Sequence, residues 1–307
     1  MKKILITGCL GHIGSYLMEN KNFNKHRLVG LDNLLTQRYC SLFNLKRKKK
    51  NIEFIYTDIL EKNFIKYVKE ADILIHLAAI TDAESSVNKK KEVDLVNFKS
   101  FKKIVGYCSK FNTKIIFPST TSVYGTQKNF VDENCSESDL NPQSPYAKSK
   151  LDSEKFMIKY SQKNKLKFVI LRLGTIYGVS KGMRFHTAIN KFCWQSSLGM
   201  PITIWRTAMN QKRPYLSLND ASRSFLHIIN NDLFDKNIYN IVTENLSINN
   251  IVKILKKNKK NLKIKYVDSK IMNQLSYEVS NLKFKNTKFR FKGSITNGIS
   301  KTLELIC

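Results

Sequence analysis

The hydrophobic residues in the first half of the chain fall into short uninterrupted runs that alternate with segments of helix length. Because successive positions within a run are apolar, both faces of the corresponding strand would be buried, as in a parallel sheet covered by helices on each side. The pattern therefore predicts an α/β fold built on a doubly wound parallel sheet. The predicted strands occupy residues 4–6, 27–31, 52–56, 73–77, 115–117 and 168–173.

The second half of the chain is less regular, with stretches rich in Lys and Asn and with scattered Phe and Tyr. We interpret it as a smaller substrate-binding lobe. A length of 307 residues permits one or two domains. The pattern thus divides the chain into a sheet domain at 1–175 and a lobe at 176–307, and it shows no convincing internal repeat.

A glycine-rich turn follows the first predicted strand. Gly8, Gly11 and Gly14 precede a segment that can continue as a helix. Glycines let the backbone approach a pyrophosphate, and the start of the helix supplies free amide donors. Asp32 ends the second predicted strand, 18 residues after Gly14, where its carboxylate would bind ribose hydroxyls and repel a 2′-phosphate. These features predict NAD as the cofactor. The alternative is an ordinary turn, with Asp32 capping the next segment.

A tyrosine and a lysine lie four residues apart at 146 and 150, a spacing that places both side chains on one face of a helix. Ser144 is a suitable N-cap and Pro145 suits the first helical position. A nearby ammonium would favour the phenolate and lower the pKa of Tyr146, which predicts a general base. The alternative is a packed phenol with a solvated lysine, which is common on amphipathic helices.

Taken together, these motifs resemble the extended short-chain dehydrogenase/reductase family, in particular its NAD-dependent nucleotide-sugar epimerases and dehydratases. The resemblance covers nearly the whole chain and also rests on segments 76–79 and 118–125. It implies a Rossmann domain that the chain re-enters at about 213–242. It also implies a cofactor site formed by Gly8, Gly11, His12, Ile13, Gly14, Asp32, Asn33, Asp58, Ile59, Leu77, Ala78, Ala79, Asn97, Tyr146 and Lys150.

The same resemblance implies a catalytic triad of Thr120, Tyr146 and Lys150. Tyr146 would accept a proton from a sugar hydroxyl while the sugar carbon gives a hydride to NAD, which forms a transient keto-sugar. The expected reaction is 4-epimerisation of a UDP-sugar, as in UDP-glucose 4-epimerases. A reductase or a dehydratase of the same family is the alternative. The expected substrate contacts are Thr81, Ser85, Ser86, Thr120, Thr175 and Arg213.

Three departures from the family pattern bear on the substrate. Thr121 and Ser122 stand where dehydratases of the family carry an acidic pair, which disfavours a 4,6-dehydratase. Thr175 stands where the family commonly has asparagine. The late Arg-x-Gly-Asp run of many UDP-sugar epimerases is absent from the corresponding region, 273–277. The sugar, the nucleotide and the inverted carbon therefore stay open.

The net charge of +29 exceeds what an anionic cofactor requires. Basic runs at 46–50, 89–91 and 256–265 would suit contact with a polyanion or an anionic membrane surface. We favour solvated lysines instead, because the runs lie in different segments and lack interleaved aromatic residues. Nucleic acid is therefore not an expected partner. A rival of another class is a non-catalytic NAD-sensing module whose basic surface binds nucleic acid or a partner protein.

The six cysteines show no Cys-x-x-Cys spacing and the five histidines form no ligand pair, so no metal site is expected. No segment has about 18 uninterrupted apolar residues, so a membrane span is not expected. The cysteines suit reduced thiols of a cytoplasmic protein. The family resemblance further implies a homodimer that pairs through two helices and a role in polysaccharide biosynthesis.

Overall fold

The computed structural model describes residues 1–43, 45, 51–82, 85–125, 129–268 and 276–306. The strands are β1 (Lys3–Thr7), β2 (Arg27–Asp32), β3 (Ile52–Tyr56), β4 (Ile73–His76), β5 (Lys114–Thr120), β6 (Phe130–Val131), β7 (Phe168–Leu173), β8 (Thr175–Tyr177), β9 (Ile202–Trp205), β10 (Lys212–Ser217), β11 (Ile238–Ile241), β12 (Glu244–Ser247), β13 (Ile264–Val267) and β14 (Glu278–Val279). The α-helices are α1 (His12–Glu19), α2 (Phe64–Lys69), α3 (Lys90–Val93), α4 (Ser100–Phe111), α5 (Pro145–Lys163), α6 (Ala188–Ser197), α7 (Leu218–Asn230), α8 (Ile248–Asn258), α9 (Leu282–Lys285) and α10 (Ile295–Ile306).

Seven strands form one fully parallel sheet in the order β11-β7-β5-β4-β1-β2-β3. The strand order reverses direction between β1 and β4, the place where doubly wound sheets bind ligands beyond the carboxyl ends of their strands. The predicted α/β fold with a doubly wound parallel sheet is confirmed.

Alternate residues of the sheet enter two separate hydrophobic cores. Ile4 and Ile6 of β1 pack on the face covered by α1 and α7, whereas Leu5 packs on the face covered by α2, α4 and α5. Both faces of the strand are therefore buried, which explains why the apolar runs of the sequence show no polar alternation.

The lobe is assembled from smaller sheets and a third core. In it, β10 pairs antiparallel with β12 and parallel with β8, and β13 pairs parallel with β9. Helices α6, α8 and α10 pack together around this core, which includes Phe192, Ile251 and Ile299. Two elements that lie between α6 and α8 in the sequence belong to the sheet domain instead. Helix α7 packs in the same core as α1, and β11 extends the large sheet. A boundary at residue 175 stays a prediction.

Candidate functional site

The glycine turn after β1 is shaped by backbone contacts that leave no room for side chains. Gly8 has a φ of +66°, and a Cβ added there would lie 2.7 Å from the backbone nitrogen of Ala78. A Cβ on Gly14 would lie 2.5 Å from the carbonyl oxygen of Gly8. Helix α1 begins at once, with Gly11 as its N-cap. The turn therefore presents bare backbone and free amide groups to a phosphate, and it fits a dinucleotide.

Asp32 lies at the end of β2, where it holds the glycine turn. One carboxylate oxygen accepts the backbone N–H of Leu10 at 3.0 Å and the other accepts that of Leu34 at 2.9 Å. Beside it, the amide of Asn33 donates to the carboxylate of Asp58 at 2.7 Å. The structure thus brings together Asp32, Asn33 and Asp58, three of the polar residues that the family resemblance assigned to the cofactor site.

The segment after β4 passes directly under the glycine turn. The backbone N–H of Ala78 donates to the hydroxyl of Thr7 at 3.2 Å, and Leu77 packs against the core on the α1 side. Ala79 is partly buried in the same segment, and Ile59 packs on the opposite face of the sheet.

Asn97 lies in a π-helical stretch, Asp94–Lys99, between α3 and α4. Its side-chain amide accepts the N–H of Ile80 at 2.8 Å and donates to the carbonyl oxygen of Ile80 at 2.9 Å. It also donates to the hydroxyl of Ser149 at 3.1 Å. These bonds connect the segment after β4 to α5, so Asn97 fixes the position of the helix that carries the catalytic pair. A direct contact of Asn97 with the cofactor stays a prediction.

Helix α5 begins as its sequence predicts. The Ser144 hydroxyl accepts the N–H of Ala147 at 3.1 Å, and Pro145 is the first helical residue. Tyr146 then lies in the first turn, where its phenol is close enough to the Thr120 hydroxyl at the end of β5 for that hydroxyl to influence its pKa. The cap therefore places Tyr146 at the carboxyl edge of the sheet.

The four-residue spacing continues along α5. The Lys150 ammonium donates to the carbonyl oxygen of Pro118 at 2.8 Å and lies 4.6 Å from the centre of the Phe117 ring. Burial lowers the pKa of Lys150 to about 8, against the charge of Glu154, which raises it. Consecutive turns of the helix are thus fixed to β5.

The structure corrects the expected origin of the acidity of Tyr146. We expected Lys150 to lower the pKa of the phenol, but burial raises that pKa above its usual value. The influences that oppose burial are the charge of Arg184 and the hydrogen bond to Thr120. Lys150 is engaged with β5 instead. Arg184 was not predicted as a site residue, because no local pattern connects a residue so far along the chain to Tyr146.

A buried ion pair lies behind the catalytic face of α5. The Glu154 carboxylate accepts from Arg172 of β7 at 2.7 Å, and both side chains are almost fully buried. Ser119 also donates to Glu154, and the Arg172 guanidinium donates to the Tyr124 hydroxyl at 3.0 Å. Glu154 follows Lys150 by another four residues, which was the available signal in the sequence.

The segment 178–183 lies across the glycine turn. His12 contacts the carbonyl oxygen of Gly178 through Nε2 at 2.7 Å, and Ser180 donates to the carbonyl oxygen of His12 at 2.9 Å. Burial lowers the pKa of His12 to about 4, so the ring is neutral at pH 7 and Nε2 carries the proton that it donates. The N–H of Gly182 donates to Ser15 at 3.0 Å. These bonds fix the segment beside the cofactor site.

Arg213 and Thr175 lie on neighbouring strands of the lobe. Thr175 pairs with Tyr215 in the register of β8 and β10, and Arg213 lies two residues before Tyr215 on β10. The Arg213 guanidinium donates to Gln211 at 3.0 Å and lies 5.5 Å from the centre of the Tyr277 ring. Both residues thus belong to one small sheet, and their substrate contacts stay predictions.

The remaining substrate candidates follow β4. Thr81 is partly buried and the side chain of Ser86 is fully buried. The side chain of Ser85, residues 273–275 and the basic run 46–50 lie outside the described residues. Among the residues that the structure describes, no helix is long and apolar enough to cross a membrane, and no group of His, Cys, Asp and Glu could hold a metal ion.

Comparison with known proteins decides the family. Residues 4–242 match the model of the NAD dependent epimerase/dehydratase family. The chain belongs to that family. NAD is accordingly its cofactor, as the glycine turn and Asp32 predict. The resemblance stated from the sequence is confirmed, and with it the prediction of an enzyme.

Relatives of this epimerase/dehydratase differ in the reactions that they are named for. An uncharacterized UDP-glucose epimerase of Bacillus subtilis, YtcB, is 32% identical over 74% of this chain and 72% of its own. A dTDP-D-glucose 4,6-dehydratase of Bos taurus is 29% identical over 99% of this chain and 88% of its own.

The crystal structure of UDP-glucuronic acid 4-epimerase from Bacillus cereus, in complex with UDP-glucuronic acid and NAD, is similar to this chain. It has a TM-score of 0.89 and 26% identity, and the similarity covers 99% of this chain and 98% of that one. NAD supplies a nicotinamide ring that takes up and returns a hydride.

Proposed function

We propose that this protein is a nucleotide-sugar epimerase that inverts C4 of a UDP-sugar through a transient keto-sugar. The observation that carries the proposal is the proximity of the Thr120 and Tyr146 hydroxyls at the carboxyl edge of the sheet that also carries the glycine turn. Solved and named relatives include UDP-sugar 4-epimerases, which supports the same reaction.

Each residue of the pair has a defined task. Tyr146 as phenolate accepts the proton of the sugar hydroxyl and later returns it. The Thr120 hydroxyl steadies the changing charge on the reacting oxygen. On the next turn of α5, Lys150 donates to the carbonyl oxygen of Pro118 and holds the helix against β5. The sugar turns over within the lobe between the two hydride transfers.

The structure favours epimerisation over dehydration. Elimination of water requires a carboxylic acid and a carboxylate beside the keto-sugar. After Thr120, a short 3₁₀ helix carries Thr121 and Ser122, and Thr121 donates to the carbonyl oxygen of Leu173 at 3.3 Å. Neither side chain can replace an acidic pair.

The test is turnover of UDP-sugars by the NAD-loaded protein, followed by separation of the stereoisomers. Tyr146→Phe removes the proton acceptor and is expected to lower kcat by about 10²-fold to 10⁴-fold. Tyr160→Phe, on the same helix, is the matched control and should leave kcat unchanged. An active Tyr146→Phe protein would refute the mechanism.

The same samples distinguish the rival class of function. Steep salt-dependent binding to DNA or RNA, without turnover of any nucleotide-sugar, would identify an NAD-sensing module instead of an enzyme.

We also propose a cytoplasmic homodimer that serves polysaccharide biosynthesis. Phe156 lies between Phe98 and Tyr160 on neighbouring helical segments, at ring distances of 6.3 and 5.7 Å, and Leu95 nearby is exposed. Aromatic side chains of this kind are enriched in dimer interfaces. Sedimentation equilibrium at the mass of one chain would refute the dimer.

A further inference from the structure

Tyr277 is buried in a fourth hydrophobic core, beside the turn that follows β5. Its exposed fraction is 3%, and the core around it includes Val123 of that turn and Leu151 of α5. Its ring meets the ring of Tyr124 edge-on, with 6.4 Å between the ring centres. Tyr277 therefore packs against the two elements that carry the proposed catalytic residues.

The Tyr277 hydroxyl is connected to Thr120 through a single peptide group. It donates to the carbonyl oxygen of Thr121 at 3.2 Å. The N–H of the same peptide group belongs to Ser122, and it donates to the Thr120 hydroxyl oxygen at 3.1 Å. Because a peptide group is planar, a bond that fixes its carbonyl also fixes its N–H, and bonds in such a chain strengthen one another. The Tyr277 hydroxyl thus acts on the orientation of the Thr120 hydroxyl through the backbone.

The turn itself does not depend on this hydroxyl. The carbonyl oxygen of Thr121 also accepts the N–H of Tyr124 at 3.2 Å. It would therefore keep a partner if the Tyr277 hydroxyl were removed, so no buried carbonyl would be left without a hydrogen bond. A phenylalanine would fill the same space. The hydroxyl at position 277 is therefore better explained by the orientation of Thr120 than by the needs of the turn.

The ring of Tyr277 faces the start of β10. The Arg213 guanidinium lies 5.5 Å from the ring centre, within the range of cation–π attraction. The two segments are also bonded through their backbones. The N–H of Tyr277 donates to the carbonyl oxygen of Lys212 at 3.3 Å, and the N–H of Lys212 donates to the Ser276 hydroxyl at 3.0 Å. Because Arg213 is an expected substrate contact, one buried side chain joins the turn after β5 to the substrate side of the site.

We propose that Tyr277 is a positioning residue for the reaction, whose hydroxyl orients Thr120 and whose ring holds Arg213. The inference rests on the proposed epimerase function and adds a residue to its site. The two roles affect different kinetic constants. An oriented Thr120 hydroxyl stabilises the reacting oxygen and so raises kcat, whereas a fixed guanidinium improves the binding of the nucleotide part and so lowers KM.

Two replacements of Tyr277 separate these roles in the NAD-loaded protein. Tyr277→Phe removes only the hydroxyl. With the UDP-sugar that is turned over fastest, we expect its kcat to fall about threefold to tenfold at unchanged KM, the range for one hydrogen bond. Tyr277→Leu also removes the ring, and we expect UDP to bind it about threefold to thirtyfold more weakly in titration calorimetry. UDP should bind Tyr277→Phe as tightly as it binds the unmodified protein.

Double variants test whether Tyr277 acts through these two residues. When Thr120→Val is already present, Tyr277→Phe should lower kcat no further, because the hydroxyl that it orients is gone. When Arg213→Met is present, Tyr277→Leu should not weaken the binding of UDP further. A tyrosine that only stabilises the fold would add its own loss in each case. Losses that multiply in either double variant would overturn the inference.

The matched control is Tyr266 on β13, an exposed tyrosine of the lobe whose ring centre lies 5.7 Å from the Arg206 guanidinium. Tyr266→Phe and Tyr266→Leu should leave kcat, KM and the affinity for UDP unchanged. If Tyr277→Leu fails to fold, Tyr277→Phe alone and combined with Thr120→Val still decides the role of the hydroxyl.

The same measurements separate this inference from the proposed function. Unchanged kcat in Tyr277→Phe, together with unchanged UDP affinity in Tyr277→Leu, would overturn the inference and leave the epimerase. Absence of turnover in the unmodified protein would refute the epimerase, and the UDP affinities would then decide the role of the ring. A loss confined to Tyr277→Leu would support that role, and equal affinities of both variants would overturn it.

Discussion

At the scale of single residues, the acidity of Tyr146 results from opposing influences. Burial raises the pKa of the phenol, whereas the charge of Arg184 and the hydrogen bond from Thr120 lower it. A hydroxyl that donates to the phenolate stabilises the charged form. Thr120 therefore serves both the base and the reacting oxygen.

Replacement of Thr120 tests this dual role. In Thr120→Val the pKa of Tyr146 should rise, which moves the acid limb of the profile of kcat/KM against pH to higher pH. We also expect kcat to fall about 10²-fold to 10³-fold, as when an oxyanion donor is removed. Thr120→Ser keeps the hydroxyl and should retain the original limb. Identical profiles for the Val and Ser variants would contradict the role.

The sequence predicted the residues of the site where local spacing carries the information. Ser144, Pro145, Tyr146 and Lys150 lie within one helical turn or two, so capping and the four-residue period sufficed. The charge of Arg184 acts on Tyr146, although the two residues are far apart in the chain, and the segment that precedes Arg184 is bonded to the glycine turn. No periodicity encodes an interaction between such distant positions, so it could not be predicted from the sequence.

At the scale of elements, α5 is a helix fixed to the sheet at each turn. Tyr146 meets Thr120 of β5, Lys150 meets Pro118, and Glu154 meets Arg172 of β7. The last pair lies in the interior, where an unpaired charge is costly. The ion pair thus holds the helix at the distance from β5 that the catalytic pair requires.

Disruption of this pair should be strongly destabilising. Glu154→Gln leaves the Arg172 guanidinium buried without its carboxylate, and we expect a loss of about 3–5 kcal/mol in the free energy of unfolding. Asp152→Asn on the same helix breaks the exposed pair with Lys148, at 3.0 Å, and should cost less than about 1 kcal/mol. Urea unfolding measures both. A loss in Glu154→Gln no larger than that in Asp152→Asn would disprove the role.

At the scale of the whole molecule, the large sheet could be predicted from the sequence, whereas the strand pairing of the lobe could not. Uninterrupted apolar runs identify buried parallel strands, because both faces of each strand meet a core. The lobe instead pairs β9 with β13 and β8 with β10, which are short strands from distant segments. Such pairs have too few residues to show a period.

A buried histidine of the sheet domain, His76, makes the stability of the protein depend on pH. His76 is buried, its Nδ1 lies 2.9 Å from the Thr7 hydroxyl, and its ring stacks on Phe101. The same hydroxyl accepts the N–H of Ala78, and it can donate its own proton to Nδ1 of a neutral ring. Burial lowers the pKa of His76 to about 3.

Because of His76, the stability of the protein should decrease as the pH falls below neutral. His76 takes up a proton near pH 6.5 in the unfolded chain but only near pH 3 in the folded protein. Its contribution to the free energy of unfolding is therefore complete above about pH 6.5 and is lost as the pH falls towards 3. Between pH 7.5 and 5 this loss is about 2 kcal/mol. In His76→Asn, urea unfolding should show a pH dependence smaller by that amount. An unchanged pH dependence would count against a neutral, buried His76.

The π-helical stretch before α4 has a consequence for changes in chain length. It contains a residue more than an α-helix of the same span needs, and Phe101 and Ile104 anchor the helix that follows it in the core. Deletion of the exposed Lys99 would make the winding regular, but it would rotate Asn97 by about 100° around the axis. Ile80 would then lose both of its hydrogen bonds to Asn97. The deletion would therefore make the helix more regular but would lower the activity, because Asn97 would no longer hold α5 in place.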